Sequence, residues 1–365
     1  MRKNYVLITL FVFSFSFAQD GAPASPYYNG FNWSLTGNNL KTSLATKITT
    51  THTNTLTYAE AEKALQIVDL DPADATKTNL LLLYGFSNNI CPTSTSDDND
   101  HRRRKKSSDG GSATCEWNRE HVYAKSLGTP NLGESGPGAD AQHLRASDVQ
   151  RNGNRGSQKF AEGSGNSGNV SGGWYPGDEW KGDVARNMMY MYLRYASRCL
   201  PTGVGTGSTV PTDTNMLNLF LKWNAEDPVS QYEDNRNTYL GNASNTYGQG
   251  NRNPFIDNPY LATAIWGGPI AQNRWPTTIL STENFNLLST ISVYPNPTYI
   301  HKINIESENE LDEIQLININ GQLMQSIKKP VSINHSYTLE NLPNGFYFLK
   351  LSSENQSVVK KIIVN

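Results

Sequence analysis

Hydrophobic and polar positions divide this chain into three regimes. Behind Arg2 and Lys3, an apolar run from Tyr5 to Phe17 ends in Ser16-Phe17-Ala18 before Gln19-Asp20. A basic start, a short apolar core and small residues at the exit predict a secretory signal peptide over residues 1–18. The run is too short to span a bilayer, and no later segment is long enough. Leu40 to Leu83 reads as mostly helical, and Tyr58-Ala59-Glu60-Ala61-Glu62-Lys63-Ala64-Leu65 is rich in helix formers behind a Thr/Asn cluster. Asn79 to Gly85 is a short apolar run that is either a buried strand or a helix end. Asp183 to Tyr195 repeats its apolar positions at three and four, a helix whose Met and Tyr residues face a core. Met216 to Trp223 reads as another amphipathic helix, and Gln249 to Asp257 as an irregular closing segment. From Ile291 onward apolar and polar residues alternate between turn signals, as they do in strands.

Between these periodic stretches lie three loops. Residues 87–114 are polar, 128–139 are rich in Gly and Pro, and Gly163 to Gly173 is nearly all Gly, Ser and Asn and is expected to be flexible. The net charge of −2 is uninformative, but His101-Arg102-Arg103-Arg104-Lys105-Lys106 concentrates positive charge in the first loop. Such a run is either a phosphate-attracting patch or a solvated loop tip. An exported protein can keep disulfides. Of the three cysteines, Cys91 and Cys115 bracket that loop and are expected to pair, which would contribute roughly 3 kcal/mol in the chain-entropy model. Cys199 is then the odd, buried one.

The candidate chemistry sits in Cys115-Glu116-Trp117-Asn118-Arg119-Glu120-His121-Val122-Tyr123, with Asp140-Ala141-Gln142-His143-Leu144-Arg145 and Asp148 to Gly156 downstream. Histidine is scarce, at positions 52, 101, 121, 143, 301 and 335, and only His121 and His143 fall inside a motif. A neutral imidazole can take a proton from water near neutral pH. A hard divalent cation such as Mg2+ prefers oxygen ligands and keeps several waters, so one carboxylate and one amide can hold it. A base, an acidic ligand and an amide ligand together are what metal-assisted phosphodiester cleavage needs.

These blocks resemble the endonuclease I family of secreted nucleases, over roughly residues 28–266 and most strongly at Trp117–Lys125, Asp140–Gly156 and Gln249–Asp257. The resemblance implies an α+β fold: a mainly helical nuclease domain over 19–285, built around a ββα-metal, or His-Me, finger. It makes His121 the general base and assigns Glu120 and Asn152 as ligands to Mg2+, with Ca2+ or Mn2+ as alternatives. It places Glu120 and His121 on a first strand, Asp140–Leu144 on a second and Asn152 on the following helix. Strand alternation would point Glu120 and His121 to opposite faces, so the site needs a bulge there or a cation at the strand's end. This chain has Gln142 where members commonly carry a histidine, and His143 is either a supporting or phosphate-contacting residue or a structural one. Arg119, Arg145, Arg155 and Arg186 are the candidates to neutralise phosphate charge, and Arg155 is assigned that role.

Val293-Tyr294-Pro295-Asn296-Pro297 and the last strand, Lys360-Lys361-Ile362-Ile363-Val364-Asn365, resemble the C-terminal sorting domain of the type IX secretion system. That implies a small all-β sandwich over 286–365, recognised by the export machinery. The expected product is a monomeric, secreted, extracellular or surface enzyme without a membrane span. It would cleave DNA, and RNA as a further substrate, with little sequence choice, because nothing reads base edges. A zinc peptidase is disfavoured, since no second histidine sits a helical turn from His121. The alternative is a non-catalytic surface protein that binds extracellular DNA through the basic run.

Overall fold

The computed structural model describes residues 21–87, 101–111, 115–278, 291–307, 310–353 and 356–365. The expected signal peptide and Cys91, hence the Cys91–Cys115 pairing, lie outside them. The chain divides into two compact units, Met1–Ile279 and Leu280–Asn365.

In the first unit the order is α1 (Gly37–Thr50), α2 (Tyr58–Val68), β1 (Asn79–Leu81), β2 (Arg103–Lys105), β3 (Trp117–His121), β4 (Leu144–Asp148) and α3 (Val149–Arg155). There follow β5 (Gly168–Val170), β6 (Gly173–Tyr175), α4 (Lys181–Tyr195), α5 (Pro201–Val204), β7 (Thr209–Val210), β8 (Asp213–Leu217), α6 (Asn218–Glu226), α7 (Gln231–Leu240), α8 (Pro254–Asp257) and α9 (Tyr260–Trp266). Helix α4 is the axis of the unit. It is buried without a break from Gly182 to Leu193, packed by α1, α6 and α8. Its Val184, Met188, Met189 and Met191 join Leu44, Ile48, Phe220, Trp223 and Leu261 in the main core. Side chains of this size contribute roughly 1.5–3 kcal/mol each on burial.

A second, smaller core fixes the region of interest. Helix α2 begins at a capping box in which Thr57 and Glu60 satisfy each other's backbone N–H groups. It lays Ala61, Ala64, Leu65 and Val68 against Leu80, Trp117, Leu144 and Ala146 of the strands. The Asn79 run is thus a strand, and the helix expected through Leu83 stops at Val68.

Three expectations need correcting. The basic run is neither a free patch nor a loose tip. Arg103–Lys105 is strand β2, antiparallel to β1. Its guanidiniums are paired: Arg102 with Glu179, Arg103 with Asp71, and the buried Arg104 with Asp148 at 2.7 Å. Nor is the stretch Gly163 to Gly173, expected to be a flexible loop, without regular structure, because from Gly168 onward β5 and β6 form an antiparallel hairpin. Finally, 29% of the described residues are helical and 25% strand, with an all-β C-terminal region, and the first unit interleaves its helices with four two-stranded sheets, so it is mixed and not clearly mainly helical. The helices are short, and long irregular segments are pinned by buried polar side chains.

The second unit has β9 (Ser292–Tyr294), β10 (Ile303–Glu306), β11 (Glu313–Asn318), β12 (Leu323–Lys328), β13 (Ser336–Leu339), β14 (Gly345–Ser353) and β15 (Gln356–Val364). They form two antiparallel sheets, ordered β13-β10-β9 and β12-β11-β14-β15. Ile303, Ile305 and Leu339 of one sheet share a core with Ile314, Leu349 and Leu351 of the other. That is the sandwich the alternating pattern predicts.

Candidate active site

Strands β3 and β4 pair antiparallel in continuous register, Trp117 opposite Asp148 and His121 opposite Leu144. Helix α3 starts directly after β4. Asp148 caps it by accepting from the backbone N–H of Gln150 and Arg151 at 2.9 and 3.0 Å. The second strand thus runs over Leu144–Asp148, later than expected, and Asp140–His143 is the turn leading into it. No bulge interrupts β3. It ends at His121, and there Glu120 and His121 line one cleft of about 280 Å3 with Arg119, Lys125, Asn131, Asn152 and Arg155. The alternation problem is thus resolved at the strand's end.

Glu120 is buried. Its Oε1 accepts from the Tyr84 hydroxyl at 2.8 Å and lies 3.2 Å from Arg155 Nη1. Burial raises its pKa, and the Arg155 charge and the Tyr84 bond offset only part of this. Oε2 has no hydrogen-bond partner among the described residues. Tyr84 holds its backbone at φ 74, a region bulky residues avoid. The Ser167 hydroxyl donates to its carbonyl at 2.5 Å. Strain maintained beside a buried carboxylate is the kind that functional sites keep.

Nε2 of His121 meets the Gly138 carbonyl at 2.9 Å. A carbonyl only accepts, so Nε2 carries the proton and Nδ1 keeps its lone pair. Tyr58 stacks on the ring at 5.5 Å, and the Arg119 guanidinium lies 3.6 Å over Tyr58. Burial, reinforced by His143, Lys125 and Arg119 and opposed by the Gly138 carbonyl, lowers the pKa of His121 to about 3. The imidazole is therefore neutral near neutral pH, the state a general base needs.

Asn152 is half-buried on α3. Its Nδ2 donates to Asn118 Oδ1 at 2.7 Å and to the Arg119 carbonyl at 3.3 Å. Its Oδ1 has no partner among the described residues. Glu120 and Asn152, side chains that line the same cleft, thus each keep one oxygen without a partner among the described residues. Among the described residues no group of three or more His, Cys, Asp or Glu side chains is placed to hold a metal. A closed cage for zinc is not what these residues offer. An oxygen pair beside open cleft fits a hard cation that keeps its waters.

The assigned arginine lines the cleft but is bonded to the backbone. Arg155 is 1% exposed, and its Nη1 and Nη2 donate to the carbonyls of His121 and Val122 at 3.0 and 2.9 Å. Arg186 is committed to Glu233 at 2.6 and 2.8 Å, and Arg145 is fully buried between Gln142 and Asn187. Arg119 lines the cleft, tied to the Tyr58 carbonyl at 2.7 Å and to Glu62 at 3.0 Å. Lys125, paired with the exposed Glu134 at 3.1 Å, is a further cation there.

The start of the second block, Asp140 to His143, is tied into the fold and not into the cleft. Asp140 accepts from Tyr190, Tyr195, Gln249 and the Gln142 backbone at 2.7–2.9 Å. Gln142 donates to the Asn251 carbonyl at 2.8 Å. His143 is fully buried against the Pro137 carbonyl, 5.7 Å from the His121 ring, and does not reach the cleft. Sequence reading missed Tyr84, Tyr58 and Gly138. Only Tyr58 carried a local signal, the capping box on its helix.

Comparison with known proteins places these residues in context. A family model described as Endonuclease I matches residues 36–260, and one described as a secretion system C-terminal sorting domain matches 292–365. An extracellular ribonuclease of Bacillus amyloliquefaciens is 39% identical over 241 residues, covering 63% of this chain and 74% of that protein. An extracellular ribonuclease of Bacillus subtilis (strain 168) is 37% identical over 262 residues, covering 67% and 82%. A solved structure of PorZ, a surface component of the type-IX secretion system of Porphyromonas gingivalis, aligns with TM-score 0.19 and 14% identity over 23% of this chain and 12% of that one. A likeness so slight carries no argument.

Proposed function

The chain belongs to the endonuclease I family, and from that premise we propose a secreted, Mg2+-dependent endonuclease that hydrolyses phosphodiester bonds of DNA and RNA with little sequence choice. Its sorting domain and its extracellular relatives make it a secreted or cell-surface nuclease. Among the described residues no helix is long and apolar enough to cross a membrane. One observation carries the mechanism: His121 Nδ1, Glu120 Oε2 and Asn152 Oδ1, each without a partner among the described residues, belong to side chains lining one cleft.

In this reading β3, β4 and α3 are a ββα-metal finger. Glu120 and Asn152 would hold Mg2+, with Mn2+ or Ca2+ as substitutes. Once bound, that ion would neutralise phosphate charge and stabilise the leaving oxygen. His121 takes a proton from water through Nδ1, while the Gly138 carbonyl holds Nε2–H and fixes the tautomer. The phosphodiester's negative charge, arriving beside the ring, raises its proton affinity at the moment it is needed. Water oxygen attacks phosphorus, the bond to the 3′ oxygen breaks, and that oxygen leaves with a proton from solvent, so the products carry 5′-phosphate ends. Arg155 does not receive phosphate here. It holds Glu120 and the end of β3 in place. Arg119 and Lys125 are the cations that face the substrate.

Supercoiled plasmid and a structured RNA, incubated with the full secreted chain, test this. Nicking and RNA cleavage should need a divalent cation, stop with chelator and fall by roughly a hundredfold or more in His121→Ala, the range for loss of a general base. Retarded but intact plasmid under every cation tried would instead favour a DNA-binding surface protein.

A further inference from the structure

Asn118 lies two residues before Glu120 on β3, and the repeat of a strand puts both on the same face. The Asn152 amide on α3 meets that face. It donates from Nδ2 to Asn118 Oδ1 at 2.7 Å and to the Arg119 carbonyl at 3.3 Å. An amide has two N–H donors and one carbonyl oxygen. Turned over, Asn152 would set its oxygen against the Arg119 carbonyl, which only accepts, and would keep the Asn118 bond only if that amide turned as well. The Asn118 bond is the shorter; the other sits beyond the usual range for N–H to O. Helix α3 adds little rigidity of its own. It has 7 residues, and Gly153 follows Asn152 inside it.

Resting on the metal reading above, we infer that Asn118 is a positioning residue that fixes the Asn152 amide with Oδ1, not Nδ2, toward the cation site shared with Glu120. Asn118 touches neither cation nor substrate. Its working atom is the acceptor Oδ1. An aspartate at this position keeps that acceptor, whereas alanine or leucine removes it and leaves the Asn152 amide with only the longer bond to the Arg119 carbonyl. A flipped amide presents N–H groups to a cation, which repels them.

The test is Mn2+ binding to the full secreted chain, followed by the loss of the free-ion paramagnetic resonance signal, with nuclease assays alongside. Wild type, Asn118→Ala, Asn118→Asp and Asn152→Ala are compared, with thermal melts to establish folding. Asn118→Ala should weaken Mn2+ binding by roughly ten- to a hundredfold, the usual effect of losing a partner of a ligand. It should approach Asn152→Ala, lower kcat at fixed Mn2+ and leave the KM for plasmid unchanged. Asn118→Asp should bind Mn2+ at least nearly as well as wild type, and this rescue is what a merely structural role would not give. Wild-type affinity in a folded Asn118→Ala overturns the inference while leaving the metal reading standing. Equal loss in the Asp and Ala variants also overturns it, and if Ala does not fold, weak binding by a folded Asp variant does the same. No specific Mn2+ binding by wild type overturns the metal reading and the inference together.

Discussion

Arg155 and Glu120 form a buried ion pair, Nη1 to Oε1 at 3.2 Å, while the same guanidinium holds the carbonyls of His121 and Val122. One side chain thus sets both the carboxylate and the backbone that carries the base. A lysine cannot imitate this, because a single ammonium lacks the planar fork that reaches three oxygens. Arg155→Lys and Arg155→Ala should each lower stability by about 3–5 kcal/mol, the usual consequence of leaving a buried charge unpaired. Thermal melts check this. A variant that melts like wild type but turns over slowly would instead return Arg155 to the phosphate.

That Glu120, His121 and Asn152 come together at one cleft was legible because the motif is local and the β3–β4–α3 hairpin and helix are nearly contiguous. The start of the second block, Asp140 to His143, was legible as part of a motif but not in its use. Gln142 and Asp140 answer to Asn251, Gln249 and Tyr190, residues far along the chain that no periodicity links. The basic run misled for the same reason. Charge density is visible in sequence, but its partners Asp71, Asp148 and Glu179 are assembled only by the fold. Tyr84 gave no signal at all, since a tyrosine after four leucines reads as core until its φ is known.

Arg104 offers a direct test of that correction. Its Nη2 lies 2.7 Å from the Asp148 carboxylate that caps α3, and both side chains are almost wholly buried. Arg104→Met should destabilise the protein by about 3 kcal/mol, because Asp148 loses its charged partner in a dry setting. The salt dependence of nucleic-acid binding should be unchanged, since a buried arginine releases no counterions from phosphate. A shallower salt slope with unaltered melting would restore the phosphate-patch reading.

Three histidines whose environment resists protonation make the fold acid-sensitive: the buried His121 and His143 and the half-buried His52. Burial lowers the pKa of His143 from the ordinary 6.5 to about 4, with Arg145 and Arg155 in the same direction and Asp140 and the Pro137 carbonyl opposing. His52 is also lowered, by burial and Arg194, against Asp140. Asp140 itself is held below the usual carboxylate value, its burial outweighed by His52, Gln249 and the hydroxyl of Tyr190, so it stays ionised across this window. Below pH 6.5 the unfolded chain takes up protons that the folded chain refuses. Stability is therefore full above about pH 6.5 and falls as the pH drops toward 4. The melting temperature should drop by roughly 5 °C or more over that range. His143→Gln should flatten part of the fall; a level profile in the wild type would contradict the argument.

Gly138 places the carbonyl that fixes the tautomer of His121. A Cβ built on Gly138 would collide with the carbonyl of Gly133, which is backbone and cannot swing aside. Gly138→Ala must therefore shift the 133–138 loop, and the His121 anchor moves with it. Misplacing a catalytic group by about 1 Å can slow a reaction roughly a hundredfold. Overpacking costs about 1–3 kcal/mol, which a unit of this size tolerates. The expected variant is folded, slightly less stable and much slower, with KM for plasmid nearly unchanged. Steady-state kinetics beside a thermal melt decide it. Wild-type kcat in Gly138→Ala would mean that the Gly138 carbonyl does not orient the base.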